Sequence, residues 1–223
     1  MLGAQTPCGR ALRDLGPERA FIFRIIHRDN LGWILQHGMH CRSSGLADPN
    51  YVDIGNPDLI GKRSVRPVPL PPGGTLSDYV PFYFTPRTPM LLNIKTGFNG
   101  IRQRQNTEIA ILVSSLRHIA ARGYPFVFTD KHAYPPTTRY FNDLARLDVI
   151  DWAILQNSDF KRDLDDLGKV ERYQAEALIH GQVPLDGLLG IACSSHAVTG
   201  ELQALVDAAG VNLKVASRPG WYF

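Results

Sequence analysis

The apolar positions of this chain fall in short runs, separated by stretches rich in glycine, proline, asparagine and aspartate. That is the pattern of a domain assembled from short strands and helices. Phe21-Ile-Phe-Arg-Ile-Ile26 is β-branched and aromatic and predicts a strand. A helix follows, with Asp29 or Asn30 as its cap, Leu31, Ile34 and Leu35 on one face, and Gly38 as its stop. Residues 41–63 show little periodicity and read as one long irregular loop, a kind of segment that is usually functional or disordered. Pro67-Val-Pro-Leu-Pro-Pro-Gly-Gly74 can be neither a helix nor a central strand. Tyr79–Phe84 predicts a strand, with Pro81 placing it at an edge or a bulge, and Pro89 opens a short helix through Ile94.

The second half continues in the same way. Strands are predicted over Ile109–Val113 and Pro125–Thr129, flanking a helix from Ser115 to Ala121. A helix near Thr138–Leu147 and an acidic, poorly periodic stretch to about Asp166 come next. Strands over Ala175–Ile179 and Leu188–Cys193, a helix over His196–Ala209 and a strand over Val211–Ala216 complete the pattern. Several strands and four or five helices without strict βαβ alternation predict an α+β fold. Residues 1–20 read as an N-terminal extension and 21–223 as a single domain, a fitting size for 223 residues.

Composition narrows the class. With 44% hydrophobic and 20% charged residues, the chain reads as an ordinary globular protein. Cys8, Cys41 and Cys193 lie far apart, which argues against structural zinc and a disulfide framework and fits a reducing cytoplasm. Arg10, Arg13, Asp14, Glu18 and Arg19 are inconsistent with a signal peptide, and no apolar run would cross a bilayer. A net charge of +3 does not itself point to nucleic acid. Its distribution says more. Lys62, Arg63, Arg66, Arg87, Lys95, Arg102 and Arg104 face only Asp78 between residues 60 and 107, whereas residues 143–176 are acidic. One face suited to phosphates is a reading of this asymmetry; a solvated face with no partner is the other.

Glu176 is the most informative acid, a carboxylate in the apolar run Tyr173-Gln-Ala-Glu-Ala-Leu-Ile179. On a strand, Gln174 and Glu176 project together. Such a pair could grip a ribose hydroxyl and stabilise positive charge at an anomeric carbon, as glycosyl transfer requires. The competing reading is an edge-strand glutamate facing water. A glycosidase would need a second carboxylate, and no spacing singles one out among Asp148, Asp151, Asp163, Asp165 and Asp166. There is no Gly-x-Ser-x-Gly, Walker A or Gly-x-Gly-x-x-Gly pattern. Arg63, beside Lys62, could bind a pyrophosphate or polarise an acceptor base. His132 sits just past a strand end, a common place for function, while His27 could be a satisfied strand-end histidine. Tyr83, Phe84 and Tyr134 could stack on a base or a nicotinamide, although strand aromatics are more often core.

Taken in order, the motifs resemble those of the DarT family of DNA ADP-ribosyltransferase toxins. They are Ile26-His-Arg-Asp-Asn-Leu31, Ile60-Gly-Lys-Arg63, Gly73–Phe84, Thr88-Pro-Met90, Pro125-Phe-Val-Phe-Thr-Asp130 with His132, and Gln174-Ala-Glu176 with Ile179-His180. The resemblance runs from about Phe21 to the terminal Gly-Trp-Tyr-Phe. It implies a split, mixed sheet of the ADP-ribosyltransferase type, with NAD as co-substrate in a cleft between its halves and no metal. Glu176 matches the family's catalytic glutamate, and Arg63, or failing it Lys62, the arginine that aids proton removal from the base.

By the same resemblance, Arg24, Ile25, Ile26, Asn30, Trp33, Cys41 and Arg63 bind NAD, and residues 44–63 fold over it. Several members carry histidine where this chain has Arg24; backbone contacts from an extended strand would survive that change. Residues 129–176 with His132 hold DNA, supported by Arg87 and Met90. The implied acceptor is single-stranded DNA, with thymine favoured over guanine, and the implied partner is a DarG-type macrodomain antitoxin. A transferase acting on RNA or protein, and an inactive nucleic-acid-binding module, are the competing functions. The enzyme readings require a carboxylate at position 176, and it is there.

Overall fold

The run Phe21–His27 is apolar at successive positions because it is covered on both faces: Ile22, Phe23, Ile25 and Ile26 are all buried. The protein is seen in a computed structural model that describes residues 12–223. Cys8 and Arg10 lie outside the described residues. Leu12, Leu15 and Ala20 pack into the same core as the strands.

In chain order the strands are β1 (Phe21–His27), β2 (Met39–His40), β3 (Tyr79–Tyr83), β4 (Ile109–Ser115), β5 (Phe126–Thr129), β6 (Tyr140–Phe141), β7 (Glu176–His180), β8 (Gln182–Val183), β9 (Gly190–Cys193) and β10 (Val215–Ser217). The helices are α1 (Leu31–His37), α2 (Pro57–Arg63), α3 (Pro89–Thr96), α4 (Leu116–Ala121), α5 (Trp152–Gln156), α6 (Lys169–Arg172) and α7 (His196–Ala208). Eight strands form one sheet in the order β10-β9-β4-β1-β3-β7-β5-β6, parallel only between β10 and β9. This is the expected α+β fold with a mixed sheet.

The sheet is divided along one seam. β1 pairs with β4 through seven consecutive residues and β3 with β7 through five, yet β1 meets β3 only at Phe23 opposite Tyr83. Pro81 lies at this seam. Its carbonyl accepts from Arg24 Nη1 at 2.9 Å, across the gap. A strand residue's N–H and C=O point to the same side, so the missing donor of Pro81 faces the gap and leaves no orphaned ladder bond. The proline therefore sits in an interior strand but at a local edge, where the sheet opens.

Several sequence expectations are corrected. No helix forms over residues 138–147: Asp130 accepts from Arg139 N at 3.1 Å and Nε at 2.8 Å, drawing Tyr140–Phe141 against β5, and a 3₁₀ turn covers Leu144–Val149. Residues 41–63 are not irregular throughout, because α2 occupies their last third, capped by Asn56 with Pro57 in its first turn. Gln174 lies outside β7, so it does not share strand alternation with Glu176. The acidic stretch is folded as well: Lys169 holds Asp159 and Asp163, and Arg172 holds Asp151 and Asp166.

Neither Asp29 nor Asn30 caps α1 by a side-chain bond. His27 Nδ1 instead accepts from Asp29 N at 3.3 Å at the head of the 3₁₀ turn. Gly38 ends α1 with φ 77°, where a Cβ would lie 2.9 Å from Val183 O, so both conformation and space require glycine. Among the described residues no helix is long and apolar enough to cross a membrane, and no group of three or more His, Cys, Asp and Glu could hold a metal ion.

Candidate active site

A cavity of about 640 Å³ opens along the β1–β3 seam, within the usual range for a small-molecule site. Its floor is the divided sheet: Arg24 and Ile25 from β1, Pro81 and Tyr83 from β3, and Glu176 from β7. Glu176 is the first residue of β7 and lies directly opposite Tyr83 on β3. Its side chain is only 2% exposed.

Three groups converge on that buried carboxylate. Arg63, the last residue of α2, donates from Nη1 to Oε2 at 3.0 Å. The backbone N–H of Ala133 donates to Oε1 at 2.9 Å, and His132 Nε2 lies 3.8 Å from the same oxygen. Tyr134 N donates to His132 Nδ1 at 3.3 Å, so a neutral His132 carries its proton on Nε2, toward Glu176. Burial pushes the Glu176 carboxyl up, but Arg63, His132 and the Ala133 amide together hold it below the usual glutamate value. It is a carboxylate at neutral pH. Tyr83 goes the other way: burial and the Glu176 charge raise its hydroxyl well above the ordinary tyrosine value, so it stays a neutral donor.

Arg63 keeps a hand free. Its Nη2 is buried on the cavity wall and has no hydrogen-bond partner among the described residues. Such an orphaned donor invites an anionic or carbonyl oxygen from a ligand. Much of the wall is the segment after β2, including Tyr51, Ile54 and Ile60. It is a built structure. Asn30 clamps it, accepting from Val52 N at 2.8 Å and donating to Val52 O at 3.0 Å, while Arg42 forks onto Asp53.

Of the residues expected at the cofactor, Arg24, Ile25, Trp33, Cys41 and Arg63 line this cavity. Ile26 and Asn30 do not; Ile26 is fully buried and the Asn30 amide is engaged by Val52. On the acceptor side His132 and Met90 line it, with Met90 Sδ 3.7 Å from the Tyr83 hydroxyl. Arg87 is outside, its guanidinium 4.4 Å above the Phe223 ring and its carbonyl accepting from Tyr173. Gln174 lines the cavity although it is not on the strand. Phe84 is core, and His27 is a buried strand-end residue whose Nε2 lies 3.6 Å from Glu108 Oε1. Sequence reasoning missed Tyr51 and the Ala133 amide; a backbone donor leaves no trace in side-chain patterns.

A carboxylate held ionised beneath a cleft, with an arginine and a histidine against it, fits transfer through a cationic sugar. The family of ssDNA thymidine ADP-ribosyltransferases named DarT matches residues 23–223, nearly the whole described chain. The chain belongs to the DarT family. A DNA ADP-ribosyl transferase of Escherichia coli O127:H6 (strain E2348/69 / EPEC) is 54% identical over 210 residues, covering 94% of this chain and 96% of the relative. Among solved structures, Thermus sp. 2.9 DarT in complex with ADP-ribosylated ssDNA aligns with a TM-score of 0.85 at 34% identity, over 93% of this chain and 98% of that one. The same protein in complex with NAD+ aligns with a TM-score of 0.80 at 34% identity, over 93% and 99%. The fold is thus that of a DarT enzyme, and the activity is NAD-dependent ADP-ribosylation of single-stranded DNA.

Proposed function

We propose that Glu176 and Arg63 carry the transfer and that the acceptor is thymine. The observation that supports this most is the pair itself: a buried carboxylate and a guanidinium 3.0 Å apart at the floor of the cavity, brought together from positions 113 residues apart. In the reaction the bond between nicotinamide and the ribose anomeric carbon breaks, and its electron pair leaves with nicotinamide. The base nitrogen then bonds to that carbon and loses its proton. Glu176 stabilises the positive charge that develops on the ribose. Arg63, through its free Nη2, favours the deprotonated base, which is the nucleophile.

Arg24, Ile25, Trp33 and Cys41 form the wall for the co-substrate, and Ile26 and Asn30 act from behind it. His132 and Met90 stand on the acceptor side, and Arg87, held against Phe223 and Tyr173, supports the acceptor from outside the cavity. Because NAD and DNA meet in the cytoplasm, we place the enzyme there. A chain that marks DNA bases would block replication in its own cell. A DarG-type macrodomain antitoxin that removes the mark is therefore its expected partner. Mass spectrometry of thymine-containing and thymine-free single-stranded oligonucleotides after incubation with NAD tests the base. An added ADP-ribose on guanine alone would overturn thymine, and labelled protein or RNA with unmodified DNA would overturn the acceptor class.

A further inference from the structure

The pairing between β5 and β7 stops one residue short of the site, and a side chain takes over. Phe126, Val127 and Phe128 lie opposite Ile179, Leu178 and Ala177. The next pair would be Thr129 and Glu176. There the Glu176 N–H donates instead to the Thr129 hydroxyl, at 3.1 Å, and that hydroxyl donates onward to Lys131 O at 2.6 Å. Thr129 is fully buried, and its backbone stays paired with Tyr140 on the other side. The chain is thus released from β7 while the start of β7 remains satisfied. Four residues later the Ala133 N–H reaches the Glu176 carboxylate at 2.9 Å.

The turn that delivers this amide is fastened at three further groups. His132 N donates to Glu171 O at 2.9 Å, Thr138 Oγ1 donates to His132 O at 2.7 Å, and the Tyr140 hydroxyl donates to Ala133 O at 2.6 Å. We infer that Thr129 is a positioning residue for the transfer reaction, its hydroxyl replacing the last ladder bond so that the turn places the Ala133 amide and His132 on Glu176. The inference rests on the reading of Glu176 as the catalytic carboxylate. Without the hydroxyl, Glu176 N–H becomes a buried donor with no partner, an arrangement native structures avoid. The turn then relaxes toward ordinary β pairing and draws Ala133 away.

The test compares Thr129→Ser, Thr129→Ala and Thr129→Val in the full chain, with Glu176→Gln as control. Transfer to a single-stranded oligonucleotide is measured as kcat and as KM for NAD across pH. Ser keeps the hydroxyl and should behave as wild type. Ala and Val should lose about 10- to 100-fold in kcat with unchanged KM for NAD, the scale of an ångström-sized misplacement. Their acidic limb should move to higher pH, because a carboxylate that loses an amide donor protonates more easily. Ala and Val with wild-type kcat and limb, or Ser as impaired as Ala, would overturn the inference. If neither Ala nor Val folds, Tyr140→Phe decides: it frees Ala133 O, and an unmoved acidic limb would overturn it. An active, folded Glu176→Gln protein would instead sink the reading of Glu176, a separate outcome.

Discussion

At the scale of single residues the site turns on one buried charge. Glu176→Gln keeps the shape and removes the charge, so transfer should fall by about 10²-fold or more while the fold and NAD binding persist. Near-normal transfer by the folded variant would refute the assignment. The same pair sets a pH dependence. The folded Glu176 value lies below the unfolded one, so the stability it contributes is fully present above the ordinary glutamate value and is lost as pH falls through the folded value. The stability gap between wild type and Glu176→Gln, read by denaturant unfolding, should therefore hold at neutral pH and narrow as pH falls below the ordinary glutamate value. Arg63→Ala should slow transfer more than it weakens binding, whereas Lys62→Ala, on an exposed position of α2, should be mild. The reverse ranking would shift the role by one residue. Glu176, Arg63 and His132 were legible in the sequence because each is a reactive side chain inside a recognisable motif. What holds them was not: the Ala133 amide is backbone, and the Thr129 hydroxyl is informative only once β5 and β7 are seen to part.

Elements that carry hydrophobic periodicity were read from the sequence; those that do not were missed. β1 and β4 are near-continuous apolar runs, α7 repeats against the core, and all three lie within a few residues of expectation. α2 buries no residue, so its only signals are its Asn56 cap and Pro57, and it dissolves into an apparent loop. Leu144 and Leu147 fit the spacing of a helix, but the same spacing serves a 3₁₀ turn, and Asp130 with Arg139 decides for a hairpin before it. The cavity wall between β2 and α2 gives a test at this scale. Asn30 is 1% exposed, and its amide makes both hydrogen bonds to Val52. Asn30→Ala would leave the Val52 groups unpartnered at a cost of about 1–3 kcal/mol and loosen that wall. KM for NAD should rise with little change in kcat. A variant with unaltered KM would show that the wall does not depend on this clamp.

Across the whole molecule, the charge asymmetry in the sequence turns out narrower in space. Arg66 donates to Pro135 O and Arg104 pairs with Glu108, while Arg87 lies over Phe223. Among the described residues Lys62 and Arg102 remain as exposed cations of that stretch. The acidic segment is likewise drawn inward onto Lys169 and Arg172. A stretch that keeps so few exposed cations gives little grip on a long duplex, whose binding grows with each phosphate neutralised. A narrow cleft with Tyr51, Tyr83 and Met90 in its walls suits one unpaired base. The thymine nitrogen that would attack the ribose is hydrogen-bonded in a base pair, and extracting the base from a duplex costs a few kcal/mol. At about 1.4 kcal/mol per factor of ten, that cost predicts a preference of about 10²-fold or more for single strands. Matched single- and double-stranded oligonucleotides, assayed by mass shift with NAD saturating, measure this directly. Equal rates on both would mean that the enzyme opens the duplex itself, and would overturn the strand preference.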